Sequence, residues 1–223
     1  MAAECTLTGR AIVASSAEGE LLYADVGLSF WGGVSPQSGE VIDSHHPLRG
    51  KSLAGRVLAI PSGRGSCTGS QVVLELLLSG RGPAAILLRQ PDEIIALGVI
   101  IAEEFFQCSL PVVHLGPEGF ERVAARSSTG SAGRVLCRVE GSSVQLRSAA
   151  AEVSKDSSNN NKASHAVAGR EPLLQDCADL SASDPGLADV SLTPADQAML
   201  DGEAGRAVQA AGKKYKKLQK SYK

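Results

Sequence analysis

The stretch Arg56-Val-Leu-Ala-Ile-Pro-Ser-Gly-Arg-Gly-Ser-Cys-Thr-Gly-Ser-Gln-Val-Val-Leu-Glu75 passes from a strand pattern to a helix pattern through a glycine-rich loop. Residues 56–60 form a short apolar run that Pro61 stops, the pattern of a buried strand. From Gln71 the apolar spacing predicts a helix over 71–79. Between them, Gly63, Gly65 and Gly69 permit a tight turn and close backbone approach. Amides at the start of the helix would face an anion, and Arg64 adds a cation. Ser62, Ser66, Thr68 and Ser70 place hydroxyls in the same loop. The chemistry is that of an oxyanion or carboxylate cradle holding a candidate nucleophile or base. Spacing alone leaves a purely structural glycine turn equally open. A P-loop is excluded, because Gly-Lys-Ser/Thr is absent and no lysine occurs between Lys51 and Lys155. The third glycine comes one residue late for a dinucleotide fingerprint. Gly65-Ser-Cys-Thr-Gly has Cys67, not a serine, at its centre, so it is not a Gly-x-Ser-x-Gly nucleophile elbow.

Outward from this loop, residues 84–88 and 111–115 repeat the buried-strand pattern, and residues 92–106 have helical length and spacing. Asp92 and Glu93 sit where a first helical turn favours acids. Residues 6–14 and 20–24 read as strands parted by a turn at Ala17-Glu-Gly. Residues 134–139 and 144–146 read as a hairpin around Glu140-Gly-Ser. Strand–helix–strand order with flanking hairpins predicts an α/β domain with a partly parallel sheet.

The 223 residues are 43% hydrophobic and 21% charged, enough to bury a core. A net charge of -2 speaks against a dedicated nucleic-acid binder. No apolar run approaches ~18 residues, and the first residues carry no secretory signal pattern, so a cytoplasmic location is expected. Cys5, Cys67, Cys108, Cys137 and Cys177 form no CxxC pair, which points to reduced thiols packed as small hydrophobes.

Composition divides the chain in three. Residues 1–148 hold 19 of the 24 glycines and six of the eight aromatics, marking the folded domain. Residues 149–190 are polar and low in complexity; burial cannot offset their ordering entropy, so a disordered linker is expected. From 191 a C-terminal helix is expected, with Thr193 as N-cap, Pro194 at N1 and Asp196 in the first turn. Residues 213–223 carry six lysines and no acid, read as a solvated end rather than an RNA or lipid contact.

Several motifs in order carry a resemblance. They are Phe30-Trp-Gly-Gly-Val, then Asp43-Ser-His-His-Pro-Leu-Arg-Gly-Lys-Ser-Leu-Ala-Gly-Arg-Val-Leu, then Pro61-Ser-Gly-Arg-Gly-Ser-Cys-Thr-Gly-Ser, then Leu74-Glu-Leu-Leu-Leu-Ser-Gly-Arg-Gly-Pro-Ala-Ala-Ile. Together they resemble the small, swivelling part of the aconitase X family, from about Thr8 to Leu146. Thr193-Pro-Ala-Asp-Gln-Ala-Met-Leu-Asp-Gly-Glu-Ala-Gly-Arg-Ala-Val-Gln resembles the opening of that family's large, catalytic part. After Gln209 the chain leaves the family pattern.

The resemblance implies a swivelling β/β/α domain of aconitase type, followed by linker and helix. It implies a hydro-lyase acting on a small β-hydroxy carboxylic acid, cis-3-hydroxy-L-proline first. The alternatives are a phosphomevalonate dehydratase small subunit, or a non-catalytic module that binds a partner. Ser66 inherits the role of base on the α-carbon, and Arg64, Gly65, Cys67 and Thr68 are the expected substrate contacts. Ordinary aconitases have an arginine where Thr68 stands, which favours an acid smaller than a tricarboxylate. Iron or an iron–sulfur cluster is expected in the large part, none in this chain. The implied partner is that large domain or subunit, with no nucleic acid and no membrane, and the chain is expected to be inactive alone. His45 and His46 read first as structural, His114 and Cys108 as core, and Cys67 as packing. Trp31 reads equally as pocket wall or core.

Overall fold

The computed structural model describes residues 5–128 and 134–148, with Arg206, Ala210, Ala211, Lys213 and Lys214. The linker at 149–190 and most of the helix expected from 191 lie outside the described residues. The fold below is that of the unit formed by residues 1–153 and 207–223.

The elements are β1 (Cys5–Thr8), β2 (Arg10–Val13), β3 (Ser16–Tyr23), β4 (Val57–Ile60), α1 (Gly69–Leu78), β5 (Ala85–Leu88), α2 (Glu93–Phe106), β6 (Val112–His114), α3 (Gly116–Ser128), β7 (Val135–Glu140) and β8 (Ser143–Ser148). The strand order is β1-β8-β7-β3-β4-β5-β6-β2. Strands β3 to β6 are parallel; the pairs β1–β8, β7–β8, β3–β7 and β2–β6 are antiparallel. The α/β reading with a partly parallel sheet therefore holds.

The single strand expected over 6–14 is two. β1 pairs with β8 and β2 with β6, so consecutive segments lie at opposite ends of the strand order. Only Gly9 separates them, and the sheet curls into a nearly closed barrel. A Cβ on Gly9 would lie 2.6 Å from Val113 Cγ1 and 2.7 Å from the His114 carbonyl oxygen, so only glycine fits where the chain crosses. The turn expected at Ala17-Glu-Gly is likewise absent. Those residues lie inside β3, opposite Val139, Arg138 and Cys137. Gly19 is there for close approach, since a Cβ would meet the Gly55 carbonyl oxygen at 2.5 Å.

The sheet buries both faces, as a parallel core flanked by helices must. Side chains alternate along β4. Leu58 and Ile60 join the apolar cluster of α1 and α2, which includes Val73, Leu76, Ile95 and Val99. Val57 and Ala59 join the second cluster, with Val113, Val139 and the two buried residues of α3, Phe120 and Val123. Among the described residues no helix is long and apolar enough to cross a membrane.

Candidate active site

Parallel strands open at their C-terminal ends, where loops from several strands converge. The loop after β4 carries Ser62 to Thr68, and the loop after β5 leads through Pro91 and Asp92 into α2. Asp92 joins the two. Its Oδ1 accepts from Ile95 N–H at 2.8 Å as the N-cap of α2, and its Oδ2 accepts from Gly63 N–H at 2.6 Å. A third segment borders the loop: Leu28 N–H donates to the Ser62 carbonyl, and Arg64 N–H to the Leu28 carbonyl at 3.0 Å. A fourth supplies Asp43, whose Oδ2 accepts from Arg64 Nη2 at 2.9 Å. The Asp43 carboxyl is held below its ordinary range, first by the His45 backbone N–H it accepts and then by the Arg64 charge. Gly65 has φ +104°, a backbone state that L side chains rarely adopt.

These segments bound a small, open cleft. Phe30, Ile94 and Ile95 give it apolar walls, and Arg64, Ser66 and Asp92 give it polar ones. Ser66 is exposed, two residues ahead of the N-cap Thr68. Its Oγ lies 3.1 Å from Thr68 Oγ1 and accepts from Thr68 N–H at 3.3 Å. Of the other expected contacts, Arg64 and Gly65 line the cleft, whereas Cys67 and Thr68 stand beside it.

Several finer expectations change. The first amides of α1 are occupied: Gly69, Ser70 and Gln71 N–H donate to the carbonyls of Ser66, Cys67 and Thr68 at 2.9, 3.0 and 3.1 Å. Among the described residues no acceptor meets the amides of Gly65, Ser66 and Cys67, so the open donors lie in the loop. Ser70 is buried and donates its hydroxyl to the Cys67 carbonyl at 2.8 Å, away from the cleft. Cys67 is exposed, so it does not serve as packing. Trp31 is 60% exposed, which leaves the core role to its neighbour Phe30.

His46 is buried. Its Nδ1 accepts from Leu48 N–H and its other ring nitrogen, Nε2, donates to the Val26 carbonyl, both at 3.2 Å, so the ring braces the loop. His45 projects outward beside Ser44 and Asp43. His114 Nε2 lies 3.1 Å from the Arg89 carbonyl oxygen, near the surface rather than in the core. Asp92 is the residue whose place in the site went unread. The Pro91-Asp92 pair ahead of an apolar helix signals a cap, but its second partner lies 29 residues away.

This geometry defines a small α/β domain that presents an exposed serine hydroxyl on a glycine loop at the open edge of its parallel strands. The family profile described as "Aconitase X swivel domain" matches residues 6–142, and the chain belongs to that family. A cis-3-hydroxy-L-proline dehydratase of Pseudomonas aeruginosa is 69% identical over 116 residues, covering 52% of this chain and 20% of that protein. The protein of the same name from Hypocrea jecorina is 44% identical over 204 residues, covering 91% of this chain and 30% of that protein. A phosphomevalonate dehydratase small subunit of Thermococcus onnurineus is 48% identical over 96 residues, 43% of this chain and 74% of that one. The crystal structure of Thermococcus kodakaraensis aconitase X in its holo-form superposes with a TM-score of 0.52 at 32% identity, covering 64% of this chain and 98% of that one. The chain thus spans under a third of the length of the first two relatives.

Proposed function

We propose that this chain is the swivel part of a hydro-lyase that removes water from a small β-hydroxy carboxylic acid, cis-3-hydroxy-L-proline first, with Ser66 as the base. The observation that carries the reading is the Ser66 hydroxyl, exposed at an open cleft on a glycine loop within the residues that match the family. A base must reach its proton, and this one is free to meet a substrate held by another body. In the reaction the α C–H bond breaks, its proton passes to Ser66 Oγ, and the electron pair moves to expel the β-hydroxyl. Charge grows on the substrate carboxylate as the proton leaves. In this reading the amides of Gly65, Ser66 and Cys67, which meet no acceptor among the described residues, answer that charge, with Arg64 beside them.

The partner in this reading is the family's large domain or subunit, and the setting is the cytoplasm. Iron or an iron–sulfur cluster belongs to that large part. Among the described residues no three His, Cys, Asp or Glu side chains converge to hold a metal, so no step is assigned to a metal on this chain. A phosphorylated substrate is the second reading. Against it, Arg64 is the one cation lining the cleft among the described residues, and it is paired with Asp43.

The test is turnover of cis-3-hydroxy-L-proline and of 5-phosphomevalonate by the chain assembled with a family large part. Ser66→Ala should lower kcat by about 10²- to 10⁴-fold and leave assembly intact. Turnover near that of the unaltered assembly would sink the assignment, and preference for the phosphorylated acid would favour the second reading.

A further inference from the structure

Thr68 stands at the N-cap of α1, where a threonine ordinarily satisfies an amide of the first turn, yet its side chain caps nothing. Its backbone is right-handed helical, at φ -56° and ψ -20°. The helix does not need the cap, because a tight turn through residues 66–68 already accepts the first amides. The hydroxyl instead lies 3.1 Å from Ser66 Oγ, and the Thr68 N–H reaches the same oxygen at 3.3 Å. An amide donor and a hydroxyl that can donate or accept, both of one residue, therefore converge on one side chain, at a loop held from behind by Asp92 and from the side by Leu28.

We propose that Thr68 is the positioning residue of the Ser66 base. The inference rests on the reading of Ser66 as the base. As an alkoxide, Ser66 has no proton to give, so the Thr68 O–H donates to it, alongside the N–H. When the substrate C–H breaks and its proton arrives on Ser66 Oγ, the new O–H turns to donate to Thr68 Oγ1. The hydrogen bond persists through proton transfer by reversing its direction, with no atom of the loop displaced. Charge-assisted bonds are about twice as strong as neutral ones, so the pair favours the alkoxide over the alcohol. Thr68 thereby lowers the pH at which the base is active without touching substrate.

The experiment compares Thr68→Val, Thr68→Ser and Ser66→Ala in the chain assembled with a family large part, across pH. Thr68→Val keeps the backbone N–H and loses the hydroxyl. It should lower kcat by about 10- to 100-fold, leave KM within about two-fold, and move the acidic limb of the kcat profile to higher pH. Thr68→Ser should restore both rate and profile. Should valine crowd the loop, Thr68→Ala removes the same hydroxyl and gives the same comparison. An unchanged profile in Thr68→Val, a rise confined to KM, or failure of Thr68→Ser to rescue would overturn the assignment. Loss of activity in Ser66→Ala beside normal Thr68→Val removes only this inference. Normal turnover in Ser66→Ala removes the base reading and this one with it.

Discussion

Asp92 and Gly63 are joined by a 2.6 Å hydrogen bond from the glycine amide to Asp92 Oδ2, across 29 residues of chain. The other oxygen of the same carboxylate caps α2. One side chain therefore fixes the start of a helix and the back of the serine loop together. Gly63 must be glycine for this to work, since a Cβ would sit 2.7 Å from Asp92 Oδ2.

Asp92→Ala should cost about 2–4 kcal/mol, from a lost cap and an unmet amide at a partly buried position. Asp92→Asn keeps an oxygen for Ile95 but turns an NH₂ toward Gly63, which cannot accept. It should cost about 1 kcal/mol while loosening the loop. Denaturant unfolding of the two variants checks the order. Equal losses would mean that the Ile95 cap contributes nothing and that the Gly63 bond carries the whole effect.

Gly63→Ala should act on the same joint from the other side. The added methyl meets a carboxylate anchored at a helix start, so the loop must shift. Stability should fall by about 1–3 kcal/mol, and Ser66-dependent turnover should fall further than stability alone explains. Turnover falling only in step with the folded fraction would show that loop position is not critical.

Trp31 and Ile42 are 60% and 50% exposed, and each directly adjoins in sequence a residue of the site, Phe30 in the cleft wall and Asp43 on Arg64. If this face meets the large part, Trp31→Ser and Ile42→Ser should each weaken assembly by about 10-fold or more, as aromatic anchors at interface centres do. The chain's own stability should change by less than about 0.5 kcal/mol, because neither side chain is in the core. Calorimetric titration with the large part separates the two quantities. Unaltered affinity would move the interface elsewhere.

The legible parts of this protein are the local ones. β4, its glycine loop, α1, β5, α2 and the β7–β8 hairpin are set by apolar runs and turn residues within a few positions of each other. Arg64, Gly65 and Ser66 line the cleft because one loop carries them. What escaped depends on distant neighbours. Gly9 and Gly19 read as a strand interior and a turn, but their meaning lies in Val113, His114 and Gly55. α3 went unread, although Phe120 and Val123 are buried at helical spacing on an otherwise polar segment. Asp43 and Asp92 act on the loop from 21 and 29 residues away, a distance that no motif spans.

Thiol reactivity and alkaline stability should follow burial. Among the described cysteines Cys67 is the exposed one, and it should be modified by a maleimide ahead of Cys5, Cys108 and Cys137. Cys137 is fully buried, and burial, then the nearby Glu18 charge, pushes its thiol up to about 12 from 9.0. Because the folded value lies above the unfolded one, this stabilisation is complete below pH 9 and is lost as pH rises toward 12. The full effect is at most about 4 kcal/mol, at ~1.4 kcal/mol per unit. The thermal advantage of the unaltered chain over Cys137→Ala should therefore shrink between pH 8 and pH 11. A constant difference would contradict the buried thiol.

Lys214 reaches back to the far end of α2, with its Nζ 2.7 Å from Glu103 Oε2 and also paired with Glu104. Ala211, one turn earlier, packs against the cluster of α1 and α2. The pairing answers an electrostatic defect. α2 carries two acids, Glu103 and Glu104, and no base in its last turn, so the negative helix end repels its own side chains. The Lys214 ammonium is held above its ordinary 10.5, first by the Glu103 hydrogen bond and then by Glu104. Its contribution is therefore complete at neutral pH and fades only as pH rises beyond that value. Removing the lysine and removing the acids should not be equivalent. Lys214→Gln leaves both carboxylates unanswered and should cost about 0.5–1 kcal/mol at low salt, less at high salt, given the partial exposure of the pair. The double variant Glu103→Gln, Glu104→Gln loses the pairing but also the repulsion, and should come out nearer neutral. Thermal unfolding at low and high salt measures both. A double variant as unstable as Lys214→Gln would show that the acids serve α2 on their own and that Lys214 answers no defect.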